Sequence, residues 1–314
     1  MNTPEAKAGA LAMLERMHLI RAYEHKLVEL QQAGAAAGTC TSVGQEAGAV
    51  GVVHALAAED TILTNHRSAA HLLARGASPA RMMAEVMGRA TGYCKGKSGS
   101  LHISVKELGV VLTSTIVGGE LSLAPGVGLS LSMQETDAIA VVFFGDGAAT
   151  EGIFHEALNL AAVWNLPVLF VCENNQWQAF VHRKETMLTD HVSEWARPYG
   201  MPAVTVDGND VETVHRAAIE AVQYVRANRK PYFLETYTYR TRGHMEPDDQ
   251  AYVDKEELAA WKRRDPIAAL EGRFSYEQVA EMHERVRRSI ESAAAFAEAS
   301  PYPSFDELTT DVYA

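Results

Sequence analysis

Two apolar runs limit what this chain can fold into more than any other feature. AIAVVFF at 138–144 and LPVLFVC at 166–172 are continuous and of strand length, as strands buried on both faces are. Between them Phe154, Ala157, Leu158, Ala161 and Ala162 recur at helical spacing and give one apolar face. Strand, helix and strand within about 35 residues form a βαβ unit, whose strands are parallel and whose crossover is right-handed. The alternation continues with AVTVDG, a helix carrying Val211, Val214, Ala218, Ala221, Val222 and Val225, and YFLETYTY. The expected fold is α/β: an open, mainly parallel sheet with helices on both faces.

Helices are also expected outside this repeat. Met13, Met17, Ile20, Leu27 and Leu30 mark one over residues 4–33, and GQEAGAVGVVHAL and SPARMMAEVMGRATG read as two more around the apolar piece TILTNHRS. GYCKGKSGSLHI has no periodicity and reads as an irregular loop, whereas GGELSLAPGVGLSLSM reads as a helix whose small residues permit close approach despite Pro125. DKEELAAWKRR and the amphipathic stretch after Tyr276 predict terminal helices. With no linker or repeat in view, 1–314 reads as one domain with helical extensions at 1–40 and 255–314.

A net charge of −12 argues against nucleic acid or an anionic membrane as partner, because both are bound through excess Lys and Arg. Three cysteines, far apart and matching no ligand spacing, support neither a disulfide framework nor a zinc site. Without a basic leader or a membrane-length apolar stretch, a soluble protein of the reducing cytoplasm is expected.

In an open parallel sheet, ligands sit beyond the carboxyl ends of the strands. Both buried runs end in polar clusters there: Gly145-Asp146-Gly147 after the first, Glu173-Asn174-Asn175 after the second. Asp146 and Asn175 are 29 positions apart, the length of one crossover plus a strand, so adjacent strands would bring them together. GDGAATEG is superficially like the dinucleotide pattern G-x-G-x-x-G, but its third glycine comes too late and an aspartate in the turn would repel a bare pyrophosphate. A divalent cation removes that objection. One carboxylate, one amide oxygen, a backbone carbonyl and phosphate oxygens suit the octahedral oxygen shell of Mg2+. The bland alternative is that Asp146 caps the next helix and the asparagines form a turn.

Gly-Asp-Gly followed after a crossover by Asn-Asn resembles the thiamin diphosphate fingerprint. IRAYEHKLVELQQAG, GQEAGAVGV, TGYCKGKSGSLHI, TIVGGELSLAPG, FHEALNLAAVWNLPVLFVCENN, YGMPAVTVDGNDV, TYRTRGHMEPDDQAYV and LTTDVYA extend the resemblance over nearly the whole chain. It is to alpha subunits of the thiamin diphosphate-dependent decarboxylase component of 2-oxo acid dehydrogenases, those acting on acetoin or pyruvate in particular. The resemblance implies the diphosphate-type domain of the thiamin diphosphate-binding fold. It implies that Asp146, Asn175 and the backbone carbonyl of Trp177 ligate Mg2+, that Gly147 and Ala148 meet the diphosphate through the main chain, and that Val117 meets the aminopyrimidine. Arg67 and His244 would reach the phosphates and the mouth of the site, with His244 the catalytic candidate of this chain; His66 and Thr115 complete the implied cofactor contacts.

The resemblance also implies an incomplete machine. The glutamate that activates the cofactor belongs in this family to a beta subunit, so an α2β2 heterotetramer is expected, inactive as the isolated alpha chain. A lipoyl acyltransferase core is an expected further partner, and the substrate a small molecule. Three departures narrow the substrate. Ala69-Ala70 stand where relatives have His-Gly, Met245 replaces a serine that can be phosphorylated, and Ser98 replaces glycine. They put pyruvate in question and leave acetoin cleavage, or transfer of a two-carbon unit to a sugar or another small acceptor, open; a non-catalytic scaffold binding Mg-diphosphate is the remote reading. The polar segments 176–195 and 240–254 are expected to be mobile until cofactor arrives.

Overall fold

Eight strands are present in the computed structural model, which describes residues 4–311. The ends of both extensions, and the last three residues of LTTDVYA, lie outside the described residues. Six of the strands are β1 (Thr61–Asn65), β2 (Val110–Ser114), β3 (Ala140–Gly145), β4 (Val168–Asn174), β7 (Ala203–Asp207) and β8 (Tyr232–Tyr237). They form one sheet in the order β2-β1-β3-β4-β8-β7, every neighbouring pair parallel. The other two, β5 (Trp177–Gln178) and β6 (Val181–His182), make a small antiparallel hairpin.

Alternation along the central strands divides the core in two. Val141, Phe143, Leu169, Val171 and Leu234 point to one face, Ala140, Val142, Phe144, Phe170 and Phe233 to the other. All ten are fully buried, which is why the runs are uninterrupted in sequence. On the first face pack α1 (Pro4–Gln32), α2 (Glu46–Val53), α3 (Ala69–Ala74), α4 (Pro79–Val86), α8 (Val211–Asn228), α10 (Pro266–Glu271) and α11 (Tyr276–Ala299). On the second lie α5 (Gly119–Met133) and α7 (Gly152–Trp164), with the one-turn α6 (Asp146–Ala149) between β3 and α7. α9 (Lys255–Lys262) packs Trp261 flat against Tyr239, 5.4 Å between centroids. No described helix is long and apolar enough to cross a membrane.

The α/β architecture and terminal helices are therefore as expected. TILTN and VVLTS are strands, and α3 and α10 are helices, although none had been assigned from sequence; each is only five or six residues long. α4 is shorter than its pattern, ending before Gly88, whose φ of 69° lies in the left-handed region. α5 passes through Pro125, and its small residues do allow close approach: a Cβ on Gly128 would stand 2.7 Å from Val168 Cγ2 of β4.

Candidate functional site

From β1 the chain passes to β2 on one side of the sheet and then to β3 on the other, so the strand order reverses between β1 and β3. That reversal opens a crevice at the carboxyl ends, the usual ligand position. A cavity of about 300 Å3 lies there, lined by Asn65 of β1, Ser114 of β2, Gly145 of β3 and Glu173 of β4, and by the loops beyond them. The register pairs Gly145 with Glu173, which puts the two polar clusters side by side.

Asp146 is the first residue of α6, yet its side chain does not cap it. Both carboxylate oxygens are buried without a hydrogen-bond partner in a residue of 0 % exposure. Burial pushes this carboxyl up to about 6, against the backbone amides of Asp146 and Asn175 and the guanidiniums of Arg183 and Arg240, which favour the charged form. A buried polar group left unsatisfied costs about 1–3 kcal/mol, so such a carboxylate is a position prepared for something else. Asn175 is held in place by its neighbours: its Nδ2 donates to Gln45 Oε1 at 3.0 Å and its Oδ1 accepts from Trp177 N at 3.2 Å. One lone pair of that oxygen stays free.

The opposite charge is also present without a counter-ion. Arg67, 6 % exposed, donates to the carbonyls of Thr41 at 2.8 Å and His244 at 2.9 Å. Arg240, 1 % exposed, donates to the carbonyl of Ala179 at 2.7 Å and to the Tyr252 hydroxyl at 2.9 Å, and its Nε has no partner. These contacts are to carbonyls and a hydroxyl, none to a carboxylate, and both arginines line the cavity. Burial first, and then the two guanidiniums beside it, hold the His244 imidazole down at about 4; burial, Arg67 and His244 hold His66 at about 3. Both rings are neutral at physiological pH. The carboxylates of Asp248 and Glu246, which follow His244 closely, are used within the loop: Asp248 accepts from His244 N at 2.6 Å, Gln250 N at 2.8 Å and Tyr252 OH at 2.8 Å, and Glu246 pairs with Arg242 at 2.7 Å.

Of the residues singled out from sequence, His66, Arg67, Val117, Gly147, Ala148, Asn175, Trp177 and His244 line this one cavity, with Asp146 buried beside them. Thr115 is not among the lining residues, and its hydroxyl pairs with His102 Nε2 at 3.3 Å. Val117 and Ile116 are 52 % and 71 % exposed at the mouth.

Sequence reasoning missed three contributors. Arg240 was visible in YRTRGH as one of two arginines, but nothing local marks which one is buried. Glu120, in the first turn of α5, lines the cavity at 1 % exposure with Oε2 unpartnered, and burial lifts its carboxyl to about 8. His71, just past Ala69-Ala70, supplies a buried imidazole below the cavity. Its Nδ1 meets Thr64 Oγ1 at 2.6 Å and its Nε2 meets Glu173 Oε1 at 2.9 Å, while Glu173 Oε2 accepts from Asn65 Nδ2 at 3.3 Å. Asn65 stands directly before His66 and Arg67, a signal that could have found it; nothing local marks His71.

An orphaned carboxylate, a free amide lone pair and two unpaired guanidiniums make a donor set that fits a divalent cation bridging to a phosphorylated ligand. A metal dication, a diphosphate, Asp146 and the two guanidiniums together come to a formal charge near zero, which burial of so many charges demands.

Residues 15–306 match the family described as "Dehydrogenase E1 component". The chain is similar to the alpha subunit of the acetoin:2,6-dichlorophenolindophenol oxidoreductase of Bacillus subtilis, 42 % identical over 310 residues that cover 97 % of this chain and 93 % of the relative. It is 35 % identical to the corresponding subunit from Cupriavidus necator over 318 residues, 99 % and 96 % of the two chains. It is also 35 % identical to the pyruvate dehydrogenase E1 component subunit alpha of Rhizobium meliloti over 315 residues, 98 % and 90 % of the two chains.

Proposed function

Because the chain belongs to the dehydrogenase E1 component family, the thiamin diphosphate-dependent enzymes of this type, we propose that it is the alpha subunit of an enzyme that cleaves acetoin. In this reading it works only when joined to a beta subunit, in an α2β2 assembly, and the acyl unit passes to a lipoyl group. Acetoin is preferred to a 2-oxo acid because, of the three relatives described above, the one with the highest identity, 42 %, is named for it.

The observation that carries the reading is the pair of opposite, unsatisfied buried charges in one cavity: Asp146 without a donor, Arg67 and Arg240 without a carboxylate. Asp146 and Asn175, with the Trp177 carbonyl, would hold Mg2+. The guanidiniums would hold the diphosphate, and Gly147 and Ala148 would approach it closely because they carry little or no side chain. When bound, the thiazolium of thiamin diphosphate supplies the nucleophilic carbon and stores the electron pair released from substrate. The chain does the rest. Gln45 aims the Asn175 amide, and Asp248 fixes the backbone of His244 at the mouth. There the neutral imidazole of His244 can donate or accept a proton at a substrate oxygen.

The reading takes 1–314 as one diphosphate-binding unit. Leu123 of α5 and Leu160, Val163 and Trp164 of α7 are exposed apolar residues on two helices that pack together, and Ile116 and Val117 are exposed at the cavity mouth. Such a surface suits a protein partner that would also close the cavity.

Calorimetry of the alpha and beta chains together with thiamin diphosphate and Mg2+ tests the reading, followed by acetoin-dependent reduction of a dye. Saturable uptake with turnover only in the mixture is expected. Uptake unaffected by Asp146→Ala, or full turnover by the alpha chain alone, would sink it.

A further inference from the structure

Far from the cavity, three helices bring together groups that the proposed activity does not use. His18 of α1, Glu271 of α10 and His283 of α11 each present one ligand atom to a common point. His18 Nε2 lies 2.8 Å from Glu271 Oε2 and 3.4 Å from His283 Nε2, and His283 Nε2 lies 3.6 Å from the same carboxylate oxygen. We propose that His18, Glu271 and His283 form a binding site for a zinc-type transition-metal dication that joins the amino- and carboxyl-terminal helices.

Four arguments support it. The first is geometric: with metal–ligand distances of about 2.0–2.1 Å, the edges of a tetrahedron are about 3.3 Å, and the three observed separations lie around that value. Only the shortest edge has to open, by a side-chain adjustment. The second is the donor set. Two imidazoles and one carboxylate suit zinc and its neighbours, not the oxygen-only shell of Mg2+ or Ca2+.

The third argument is that a metal would use all three groups, which hydrogen bonding serves unevenly. One carboxylate oxygen can hold His18, but His283 is too distant from it for a hydrogen bond and instead turns its Nε2 towards that of His18, with the rings edge to face at 4.5 Å. The two ring nitrogens meet at 3.4 Å, a long N–H···N contact that a shared cation would replace with two metal bonds. The fourth is access. The side chains are 16 %, 30 % and 47 % exposed, and a surface groove reaches His18 and His283, so an ion can enter and a water can take the fourth position. The cations along this groove are already paired: Arg21 with Glu46 and Asp265, Lys26 with Glu29, and Arg287 with Glu284 and Glu291.

The test uses untagged protein assembled with its beta partner, stripped by chelator and then saturated with Mg2+ and thiamin diphosphate so that the oxygen site is filled. Co2+ is added and its visible absorption followed, with Zn2+ as competitor. One equivalent per alpha chain with the intense band of a four-coordinate imidazole site is expected. His283→Ala, a change at a half-exposed position that should not disturb folding, is expected to lower affinity by more than about 100-fold, since even losing an outer-shell partner costs about 10–100-fold. Zn2+ should raise the melting temperature of the parent and not of His283→Ala, while acetoin turnover stays the same in both. A weak octahedral Co2+ spectrum, or equal affinity in the parent, His18→Asn and His283→Ala, would overturn the proposal.

Discussion

Two buried carboxylates of the same sheet, one within β8 and one just past β3, are treated in opposite ways. Glu235 of β8 is fully buried and accepts four hydrogen bonds: from Asn174 Nδ2 at 2.6 Å, Val192 N at 3.0 Å, Ser193 N at 3.1 Å and Thr205 Oγ1 at 2.7 Å. Asp146, at the end of β3, is equally buried and accepts none. The first ties the segment around residue 192 to the sheet and is complete as it stands. The second is complete only when something positive arrives. Unsatisfied polarity, and not burial itself, separates the functional carboxylate from the structural one.

The comparison can be broken most severely at Glu235. Glu235→Ala should remove about 3 kcal/mol or more of stability, because several buried donors lose their acceptor at once, and urea unfolding would show it. Asp146→Ala should do the reverse: unfolding of the cofactor-free chain is unchanged or slightly harder, while thiamin diphosphate affinity measured by calorimetry with Mg2+ falls by more than about 100-fold. If Asp146→Ala unfolds like Glu235→Ala, the two carboxylates are the same kind of group and the contrast fails.

A smaller effect sharpens the contrast through pH. Burial lifts Glu120 from 4.5 to about 8, so folding favours its protonated form. The stability this contributes is complete below the unfolded value and is lost as pH rises through the folded one. Glu120→Gln, always neutral, should therefore gain on the parent as pH climbs from about 5 to about 8, with the two chains closest at the acid end; urea midpoints without cofactor give the measurement. The smallest effect is expected at Gly147. A Cβ there would meet the flexible side chain of Gln178 at 3.3 Å, so Gly147→Ala should cost about 1 kcal/mol or less and weaken cofactor uptake less than Asp146→Ala does.

The legible elements were those that declare themselves locally. β3, β4, α7 and α8 were readable because burial on both faces, or on one stripe, imposes an apolar pattern on consecutive residues. TILTN and VVLTS were not, since five residues with threonines among them satisfy helix, strand and loop equally well. The same division runs through the site. Asp146 and Asn175 follow consecutive strands, so spacing alone put them together, whereas Arg240 and Glu120 reach the cavity from segments whose local pattern says nothing about it.

What the amino-acid order determined alone is the parallel sheet and the polar clusters at the ends of β3 and β4, because periodicity and crossover length are properties of contiguous chain. Which of the charges would be paired and which left waiting was decided only by the tertiary structure. Arg67 donates to the carbonyls of Thr41 and His244, Glu235 accepts from residues between 174 and 205, and His18, Glu271 and His283 come from both ends of the chain. Whether a buried charge finds a partner depends on segments far away in sequence, and folding alone brings them within reach.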